Sequence, residues 1–439
     1  MKNTYSQILA GLSLTASLVA ATPVPPPPAS RALPPPPPGG SPAQPRPPAP
    51  LGAPAPLPNA TLPGNPPGAP GNPAGARFSM PLPGLSAEQL RQFNVGRDEF
   101  VKEETQATGL GPIFNDVSCV ACHGVGGAGG WSPKTVVRFG RVTNGVYDPL
   151  VELGGPLLQR RSIHPEALER VPREANVMSL RVTTPLFGAG LVEAIPDATI
   201  LQYEAATKPD GIKGRAAKVV DPVSGQTRVG RFGWKAQHAS LLGFSADAYL
   251  NEMGITSRFF PKENAPNGNA ALLAKFDQFS DPEDVVDPAT NKSDVDAAAD
   301  FMRYLAPVPQ APMNEQARLG AAVFTQVGCA SCHVPSMQTG PDAPQGLRNV
   351  AVNLYSDLLL HDMGLLGDGI AQPPATGKEM RTAPLWGLRL RDRLLHDGRA
   401  STVDLAIRTH DGEARVVKNR YIALPVAQRN ALLEFLKTL

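Results

Sequence analysis

Cysteine and histidine occur together twice in this chain, each time in the order C-x-x-C-H. The copies are Cys119-Val120-Ala121-Cys122-His123 and Cys329-Ala330-Ser331-Cys332-His333, and they contain all four cysteines of the 439-residue sequence. Two thiols at this spacing can each form a thioether with a haem vinyl group, and the histidine that follows can bind the iron. Two zinc knuckles or redox dithiols are the alternative, although zinc needs four Cys or His ligands close together. The sequence therefore predicts two covalently bound c-type haems with His123 and His333 as proximal ligands.

The N-terminal residues have the pattern of an export signal. Met1 and Lys2 lead into an apolar run from Ile8 to Ala21, which is too short to span a bilayer and ends in small residues. We expect a cleaved signal peptide over residues 1–21 and no transmembrane segment in the mature chain. Since haem is attached to such motifs after export, the expected location is a bacterial periplasm. No cysteine follows the signal, which argues against a lipid anchor.

Proline dominates the segment that follows the signal. Residues 22–77 contain runs such as PVPPPP and PPPPPGG and almost no aromatic side chains. This composition favours a disordered linker with local polyproline II structure. A proline-rich ligand for a partner protein is the alternative. The formal net charge of the whole chain is +2, with acidic and basic residues interspersed, so we expect no nucleic-acid partner.

Helical patterns bracket each C-x-x-C-H motif. One helix is expected to open near Ser86 and another at Asn314, each shortly before a motif. A closing helix is expected from Ser293 to the residues before Pro307, and a second over residues 427–439. The apolar positions expected on the opening helices are Leu90, Phe93, Val95, Phe100, Leu319, Val323 and Phe324.

A second pair of similar segments supports an internal duplication of the sequence. The segment RVTTPLFG, which begins at Arg181, resembles RTAPLWG, which begins at Arg381. The linker PVPQAP, from Pro307 to Pro312, separates the two halves. We therefore predict a mainly α fold with two tandem cytochrome c-like domains, over residues 78–307 and 308–439.

Long segments of the chain resemble one bacterial family, the di-haem oxidoreductases of peroxidase type, some of which are called thiol oxidoreductases. That family is similar to di-haem cytochrome c peroxidases and to the di-haem enzyme of methylamine utilisation. The resemblance covers nearly all of residues 86–439 and implies a peroxidase-like oxidoreductase with a small periplasmic electron-donor protein and hydrogen peroxide or another small substrate. The segments that carry it are GLGPIFNDVSCVACHGVGGAGG, TTPLFGAGLVEAIPDATI, GRFGWKAQHASLLGFSADAYLNEMGIT, LYSDLLLHDMGLLGDG and RTAPLWGLRLRDRLLHDGRASTVDLAIRTHDGEA.

The resemblance also implies a distal ligand for the second haem. Relatives carry a distal Met on the helix after the motif that reads LHDG here, and this chain has His410 at that place, fourteen residues after His396. We therefore predict that His333 and His410 both bind the second iron. The alternative is a solvent-facing His410, and Met363 is a further candidate, although a Met in an apolar stretch is more often a core residue. His396 and His361, in LHDG and LHDMG, are expected to bond haem propionates or the backbone, and His396 or Met363 would take the ligand role if His410 does not bind iron.

The first haem has no obvious distal ligand in the sequence. The glycine-rich stretch after His123 contains no His or Met, and the next histidine is His164. Either the sixth position of the first iron is open, which we favour, or His164, His238 or Met178 reaches it from a distant segment.

Peroxide cleavage at an open haem needs a group that moves a proton. Glu252 and Glu193 are the candidates, and Glu252 matches the place where relatives carry a catalytic Glu after a tryptophan-bearing segment; both could also be ordinary surface carboxylates. Trp234 lies near the place where relatives have a tryptophan between the haems, and a partly buried core position is its alternative. Arg181 and Arg381 could bind haem propionates, or could pair with an Asp.

Three functions remain open at this point. The first is a di-haem peroxidase-like oxidoreductase whose substrate haem is held by His123 and whose electron-relay haem is held by His333. The second is an electron-transfer cytochrome with two six-coordinate haems. The third is an oxidase of sulfur compounds or of a protein substrate. The sixth ligand of the first haem separates the first two functions.

Overall fold

The computed structural model describes residues 78–439, so the predicted signal peptide and proline-rich linker lie outside the described residues. Short helices and short strands alternate along this part of the chain. The α-helices are α1 (Ala87–Val101), α2 (Cys119–Cys122), α3 (Ala189–Glu193), α4 (Asp197–Ala205), α5 (Leu241–Ala248), α6 (Ala270–Phe276), α7 (Asp294–Tyr304), α8 (Glu315–Val327), α9 (Val403–Thr409), α10 (Arg415–Ala423) and α11 (Val426–Leu436). The strands are β1 (Ile113–Phe114), β2 (Ser132–Thr143), β3 (Val146–Asp148), β4 (Leu157–Leu158), β5 (Arg161–Ser162), β6 (Val177–Thr183), β7 (Ala217–Val220), β8 (Thr227–Gly230), β9 (Met337–Gln338), β10 (Ala351–Val352), β11 (Leu360–Asp362) and β12 (Glu379–Arg381).

The expected mainly α fold is only partly right. Helical segments make up 36% of the described residues and strands 17%, so the β content is too large for that class. The largest β element is an antiparallel sheet in which β2 pairs with β3, β4 and β6. It lies in the long segment between the first C-x-x-C-H motif and its closing helix, where β-branched residues of β2 such as Val136 and Val137 favour extended backbone.

The first pair of bracketing helices forms as the sequence predicts. Ser86 caps α1 in a capping box with Gln89, and Ser293 caps α7. The two helices cross so closely at Gly96 that a Cβ placed there would lie 2.1 Å from the carbonyl oxygen of Ala297. Only glycine permits this approach, and it fixes where the two helices meet.

The second pair repeats this arrangement. Asn314 caps α8, and α11 ends the fold over Val426–Leu436. A Cβ at Gly320 of α8 would lie 1.9 Å from the carbonyl oxygen of Ala431 in α11. Each half of the sequence therefore contains an opening helix that packs through a glycine against a closing helix, which supports the predicted duplication.

Two residues of the expected apolar face are exposed instead. Leu90 of α1 is 42% exposed and Leu319 of α8 is 55% exposed, whereas Phe93, Phe100 and Phe324 are buried. The buried strip of each opening helix runs through its close-contact glycine, because the partner helix approaches there. Leu90 and Leu319 lie outside that strip.

The two similar segments RVTTPLFG and RTAPLWG also contact each other. A Cβ placed at Gly387 would meet the ring of Phe187 at 2.5 Å, and a Cβ placed at Gly188 would meet the ring of Trp386 at 2.7 Å. Each aromatic residue of one Pro-Leu-aromatic-Gly segment thus covers the glycine of the other. The segments RVTTPLFG and RTAPLWG therefore pack against each other within the main apolar core.

The main apolar core includes residues from both sides of the expected boundary at residues 307 and 308. Phe93 and Phe301 share this core with Leu358 and Trp386, and the described residues belong to one compact unit. A second cluster joins α8, α10 and α11 and includes Phe324, Tyr421 and Phe435. The division into two domains stays a prediction.

Candidate functional site

Each C-x-x-C-H motif lines its own cavity. The first motif forms the short helix α2, capped by Ser118, and the second forms a single 3₁₀ turn, Cys329–Ser331, directly after α8. A helical turn places both cysteines and the histidine of a motif toward one side, and all three residues line the cavity in both cases. The empty space is about 1430 Å³ around the second motif and about 1170 Å³ around the first, including the openings.

Three of the four cysteines do not have the environment of reactive thiols. Burial raises the pKa of Cys119 to about 12, that of Cys122 to about 11 and that of Cys329 to about 12. Thiols with such pKa values stay protonated, whereas redox-active cysteines are thiolates. The two pairs also line separate cavities, so four cysteines do not converge.

The second cavity contains two histidines in the orientation that iron ligands need. The Nδ1–H of His333 donates to the carbonyl of Tyr355 at 3.0 Å, and the Nδ1–H of His410 donates to the carbonyl of Ala406 at 2.8 Å. In both rings this leaves Nε2 as the unprotonated nitrogen, the form that binds iron. Burial lowers the pKa of His333 to about 4 and also lowers the pKa of His410. Both rings are therefore neutral at physiological pH.

His396 and Met363 line the same cavity as His410. His396 is 3% exposed, its Nε2 has no hydrogen-bond partner, and its ring packs edge-on against Trp234 at 6.3 Å. The structure thus brings all three predicted distal candidates to one cavity. Of these three residues, only His410 donates its Nδ1–H to a backbone carbonyl. The proximal candidate His333 makes the same kind of hydrogen bond.

His361 is held in a buried ionic network beside the second motif. Its Nε2 donates to Asp357 at 2.9 Å and its Nδ1 to Glu413 at 2.8 Å, while Cys332 Sγ lies 3.6 Å from Nδ1. Burial alone would lower its pKa, but the bonds to Asp357, Cys332 and Glu413 raise the pKa of His361 to about 12. Both ring nitrogens of His361 are engaged by carboxylates, so neither is free to bind iron, and the ring holds the segments around the second motif together.

Two buried arginines face the second cavity. Arg381 donates through Nε to the carbonyl of Gly233 at 2.8 Å, and Arg391 has neither Nε nor Nη2 paired. Burial lowers the pKa of each guanidinium to about 10. An unpaired buried guanidinium is costly unless an anion lies against it. The sequence prediction named Arg381 but missed Arg391, which no motif distinguishes from other arginines.

The first cavity has a different set of donors. His123 lines it, with its Nδ1 buried and unpaired and its pKa lowered by burial to about 4. Among the described residues, no other histidine lines this cavity. Its lining does contain two thioethers, Met253 and Met302.

The three distant ligands considered for the first haem lie elsewhere. His164 stacks on Phe276 with ring centroids 4.7 Å apart, and Met178 is 62% exposed. His238 is buried with its Nε2 3.3 Å from Asp247, a residue that lines the cavity although His238 does not. The structure brings none of the three into the first cavity.

Glu252 is the predicted carboxyl that lines the first cavity. It lies on the π-helical turn Tyr249–Met253 that extends α5. Burial raises its pKa, and Asn115 Nδ2 donates to its Oε2 at 2.8 Å. One oxygen of this carboxyl is thus fixed, and Oε1 has no partner among the described residues.

Glu193 lines neither haem cavity. Its Oε1 accepts the backbone N–H of Leu241 at the start of α5, at 2.7 Å, and its Oε2 pairs with Arg303 at 2.9 Å. Both oxygens are used in positioning helices. Of the two predicted proton-transfer residues, the structure therefore places Glu252 in the first cavity and Glu193 outside both cavities.

The predicted propionate partner Arg181 is in an ion pair. Its Nε donates to Asp368 at 2.8 Å, the alternative that the sequence left open, although it also lines the first cavity. Arg138 of β2 lines this cavity with its Nε buried and unpaired. It is the second arginine that sequence reasoning missed, because the alternation of β2 alone does not show which face meets a cofactor.

Trp234 lines both cavities. Its indole N–H donates to the carbonyl of Val182 at 3.0 Å, and its own carbonyl accepts the N–H of Arg381 at 2.9 Å. These bonds fix the ring between the first and the second motif. The predicted position between two haems fits this placement.

The residues of both cavities fit a haem. Each cavity combines a cysteine pair, a neutral histidine and an apolar lining with an arginine whose Nε–H is buried and unpaired, Arg138 in one and Arg391 in the other. A propionate carboxylate would supply the missing acceptor.

The comparison with known families agrees with this donor set. Residues 148–439 match the family described as "Di-haem oxidoreductase, putative peroxidase". The chain belongs to this family. The matched region includes the second motif, Trp234 and Glu252, and begins after the first motif. As a di-haem oxidoreductase, the protein is expected to hold two haems, which is the number of motif-lined cavities.

Solved structures show only distant likeness. Hydrazine synthase of Kuenenia stuttgartiensis is 15% identical, with a TM-score of 0.36 and coverage of 81% of this chain and 88% of that one. The di-haem peroxidase BthA of Burkholderia thailandensis is 16% identical, with a TM-score of 0.37 and coverage of 83% and 92%. A MauG-like protein associated with microbial copper homeostasis is 18% identical, with a TM-score of 0.30 and coverage of 63% and 94%. None of the curated proteins compared with the chain matches it.

Over residues 78–439, none of the helices has the length and apolar character needed to cross a membrane.

Proposed function

We propose that this protein is an exported di-haem c-type cytochrome that reduces hydrogen peroxide or another small substrate. In this proposal the substrate haem is attached to Cys119 and Cys122 and held by His123. The electron-relay haem is attached to the second cysteine pair and held by His333 and His410. The observation that carries the proposal is the difference between the cavities: the second has two oriented histidines, and the first has one histidine and a buried carboxyl.

The chain's own residues have distinct roles in this reaction. A bound haem supplies an iron that can accept peroxide and electrons. Glu252 acts as the group that takes a proton from one peroxide oxygen and returns it to the other, because Asn115 fixes one carboxyl oxygen and leaves the second free. Arg138, on the same cavity, would hold a propionate of the bound haem.

Reduction of peroxide to two water molecules consumes two electrons and two protons. The electrons must reach the first cavity from the second, and Trp234 is a side chain that both cavities share. We infer that its indole is the contact through which the haems exchange electrons. A small periplasmic donor protein would supply the electrons to the second haem.

Electron paramagnetic resonance of the ferric protein, combined with peroxide turnover, tests this proposal. We expect one high-spin and one low-spin haem, and Glu252→Gln should slow turnover by roughly a hundredfold or more while cyanide affinity stays nearly unchanged. Glu88→Gln, which changes an exposed carboxylate paired with Arg91, is the matched comparison and should keep turnover near that of the wild type. Two low-spin signals and no binding of cyanide, in either the oxidised or the half-reduced protein, would rule out the substrate role of the first haem.

One observation favours a second candidate function, a pure electron-transfer cytochrome. Met253 and Met302 line the first cavity, and a thioether from either residue could complete the coordination of the iron. In that case Met253→Ala or Met302→Ala should convert a low-spin first haem to high spin. The peroxidase proposal expects no change of spin state in either variant.

The proposed export depends on residues 1–21. Mass spectrometry of protein isolated from the periplasmic fraction should show a mature chain that begins near residue 22. A full-length chain that stays in the cytoplasm without haem would contradict this part of the proposal.

A further inference from the structure

The first haem cavity has to take up the protons that peroxide reduction consumes. Its lining includes the carboxyl groups of Asp116, Asp247 and Glu252. Asp116 accepts from Lys134 Nζ at 2.6 Å and from Arg161 Nη1 at 2.9 Å, so each of its oxygens is held by a cation. Glu252 is the proposed proton-transfer group. Asp247 is the carboxyl of this lining that has neither role.

Asp247 connects the cavity to His238. The side chain of Asp247 is 26% exposed, and its Oδ2 lies 3.3 Å from Nε2 of His238. His238 is 8% exposed and lines neither haem cavity. Of its two ring nitrogens only Nε2 is buried without a well-aligned hydrogen bond, which leaves Nδ1 as the nitrogen that meets solvent. The pair therefore reaches from the cavity lining to the outer surface.

The surrounding chain holds both side chains in place. The backbone carbonyl of His238 accepts the N–H of Arg231 at 2.8 Å and that of Phe232 at 3.0 Å. The ring of His238 packs against Phe244 of α5, with ring centroids 5.4 Å apart. Asp247 lies on the same helix, and its Oδ1 accepts Asn251 Nδ2 at 3.0 Å. One oxygen of Asp247 is thus fixed, and the other is directed at His238.

The charges around Asp247 keep it ionised at neutral pH. Burial by itself raises its pKa, but His238 and Arg138 outweigh burial and hold the pKa below its ordinary value of 3.8. Glu252 is a further charged neighbour, and burial raises its pKa. An ionised carboxylate accepts a proton from an imidazole N–H, and the two nitrogens of a histidine let it take a proton on one side and release one on the other.

We propose that His238 and Asp247 carry protons from solvent into the first haem cavity. Nδ1 of His238 takes a proton from water, the Nε2–H passes its proton to Asp247 Oδ2, and the carboxyl releases it into the cavity. Tautomer exchange with water then resets the ring. Two such transfers supply the two protons that, with two electrons from the donor protein, convert one hydrogen peroxide to two water molecules. This inference rests on the proposed peroxidase function and adds the proton route to it.

Peroxide turnover and cyanide binding of the haem-loaded protein test this relay. Asp247→Asn and His238→Gln should each slow turnover by roughly a hundredfold, the lower end of the range for proton-transfer groups. Cyanide enters as HCN and must release its proton when it binds, so both variants should slow cyanide association by a similar factor and leave the equilibrium affinity nearly unchanged. His164→Gln, which removes a histidine stacked on Phe276, is the matched control and should change neither rate.

A double variant separates a relay from a merely structural pair. Groups that act in series lose little more when both are removed, so the double variant should be about as slow as either single variant, whereas independent structural defects would multiply. The relay also predicts a larger solvent deuterium isotope effect on turnover in the variants, with the resonance spectrum of the resting protein unchanged. If Asp247→Asn does not fold, the isotope effect and the cyanide rate of His238→Gln decide.

The failure of the relay and the failure of the proposed function have different signatures. A wild type that turns over peroxide, with single variants that keep both rates, would overturn the relay and leave the proposed function intact. A wild type that neither turns over peroxide nor binds cyanide would overturn both.

Discussion

Asp368 is the single carboxylate between two buried cations. Its Oδ2 accepts the Nε–H of Arg181 at 2.8 Å, and its Oδ1 lies 2.9 Å from Lys235 Nζ. The side chains of Asp368 and Lys235 are 0% exposed and that of Arg181 is 4% exposed. We predict that Asp368→Asn strongly destabilises the fold, because it leaves both cations buried without a counter-charge.

The expected cost follows from these contacts. Breaking a buried ion pair by removing one partner costs about 3–5 kcal/mol. Two pairs are lost, but Lys235 keeps the carbonyls of Thr376 and Glu379, at 3.0 and 2.6 Å, and Arg181 keeps Gln372. We therefore expect a total of about 3–5 kcal/mol, not twice that amount, out of a total stability of about 5–15 kcal/mol.

Urea unfolding followed by circular dichroism measures this loss. With an m value of about 3 kcal/mol per molar, the unfolding midpoint should fall by about 1–1.7 M. Asp98→Asn is the control, since its pair with Arg97 is exposed, and it should cost less than about 1 kcal/mol. Adding Lys235→Met to Asp368→Asn should recover part of the loss, because one uncompensated cation is removed.

The pH dependence of this effect has a definite sign. Burial by itself raises the pKa of Asp368, but Arg181 and Lys235 outweigh it and hold the pKa below its ordinary value of 3.8. A depressed pKa in the folded state stabilises the protein above the unfolded pKa and loses that effect as the pH falls through the folded value. The wild type should therefore exceed Asp368→Asn by a constant margin at neutral pH, and by less below pH 3.8. A loss smaller than about 1 kcal/mol at pH 7 would refute the buried-pair argument.

Three further predictions concern the haems. Cys119→Ala with Cys122→Ala should leave one covalent haem per chain by mass spectrometry; a wild type matured with no haem adduct would contradict covalent attachment. His410→Ala should convert one low-spin haem to a high-spin or water-ligated form in resonance spectra, whereas His396→Ala should not, and an unchanged spectrum of the first variant would transfer the ligand role to His396 or Met363. Because burial raises the pKa of Glu252 above its ordinary value of 4.5 and the base must be ionised to take a proton, turnover should fall with decreasing pH already above pH 4.5, and Glu252→Gln should remove this limb of the profile.

Local chemistry made part of the fold predictable from the sequence. Ser86, Ser293 and Asn314 cap helices where the capping pattern indicates, since a side-chain oxygen satisfies free N–H groups wherever the chain turns into a helix. The β content of the first half was underestimated. Strand pairing depends on residues far apart in the chain, such as Val137 of β2 and Leu180 of β6, which a local pattern does not join.

The candidate site likewise has features that the local sequence predicts and features that depend on distant segments. The two C-x-x-C-H motifs are contiguous, so the sequence by itself predicted two haem attachment sites, and the family match over residues 148–439 implies two haems. The sequence kept both Glu252 and Glu193 as candidates, and only the tertiary structure placed one on the cavity and the other on Arg303. The unpaired Nε–H groups of Arg138 and Arg391, and the unpaired buried oxygens of Glu283, likewise depend on how distant segments pack. Whether a charged group is exposed, paired or left facing a cavity depends on the segments that surround it, and these come from distant parts of the chain.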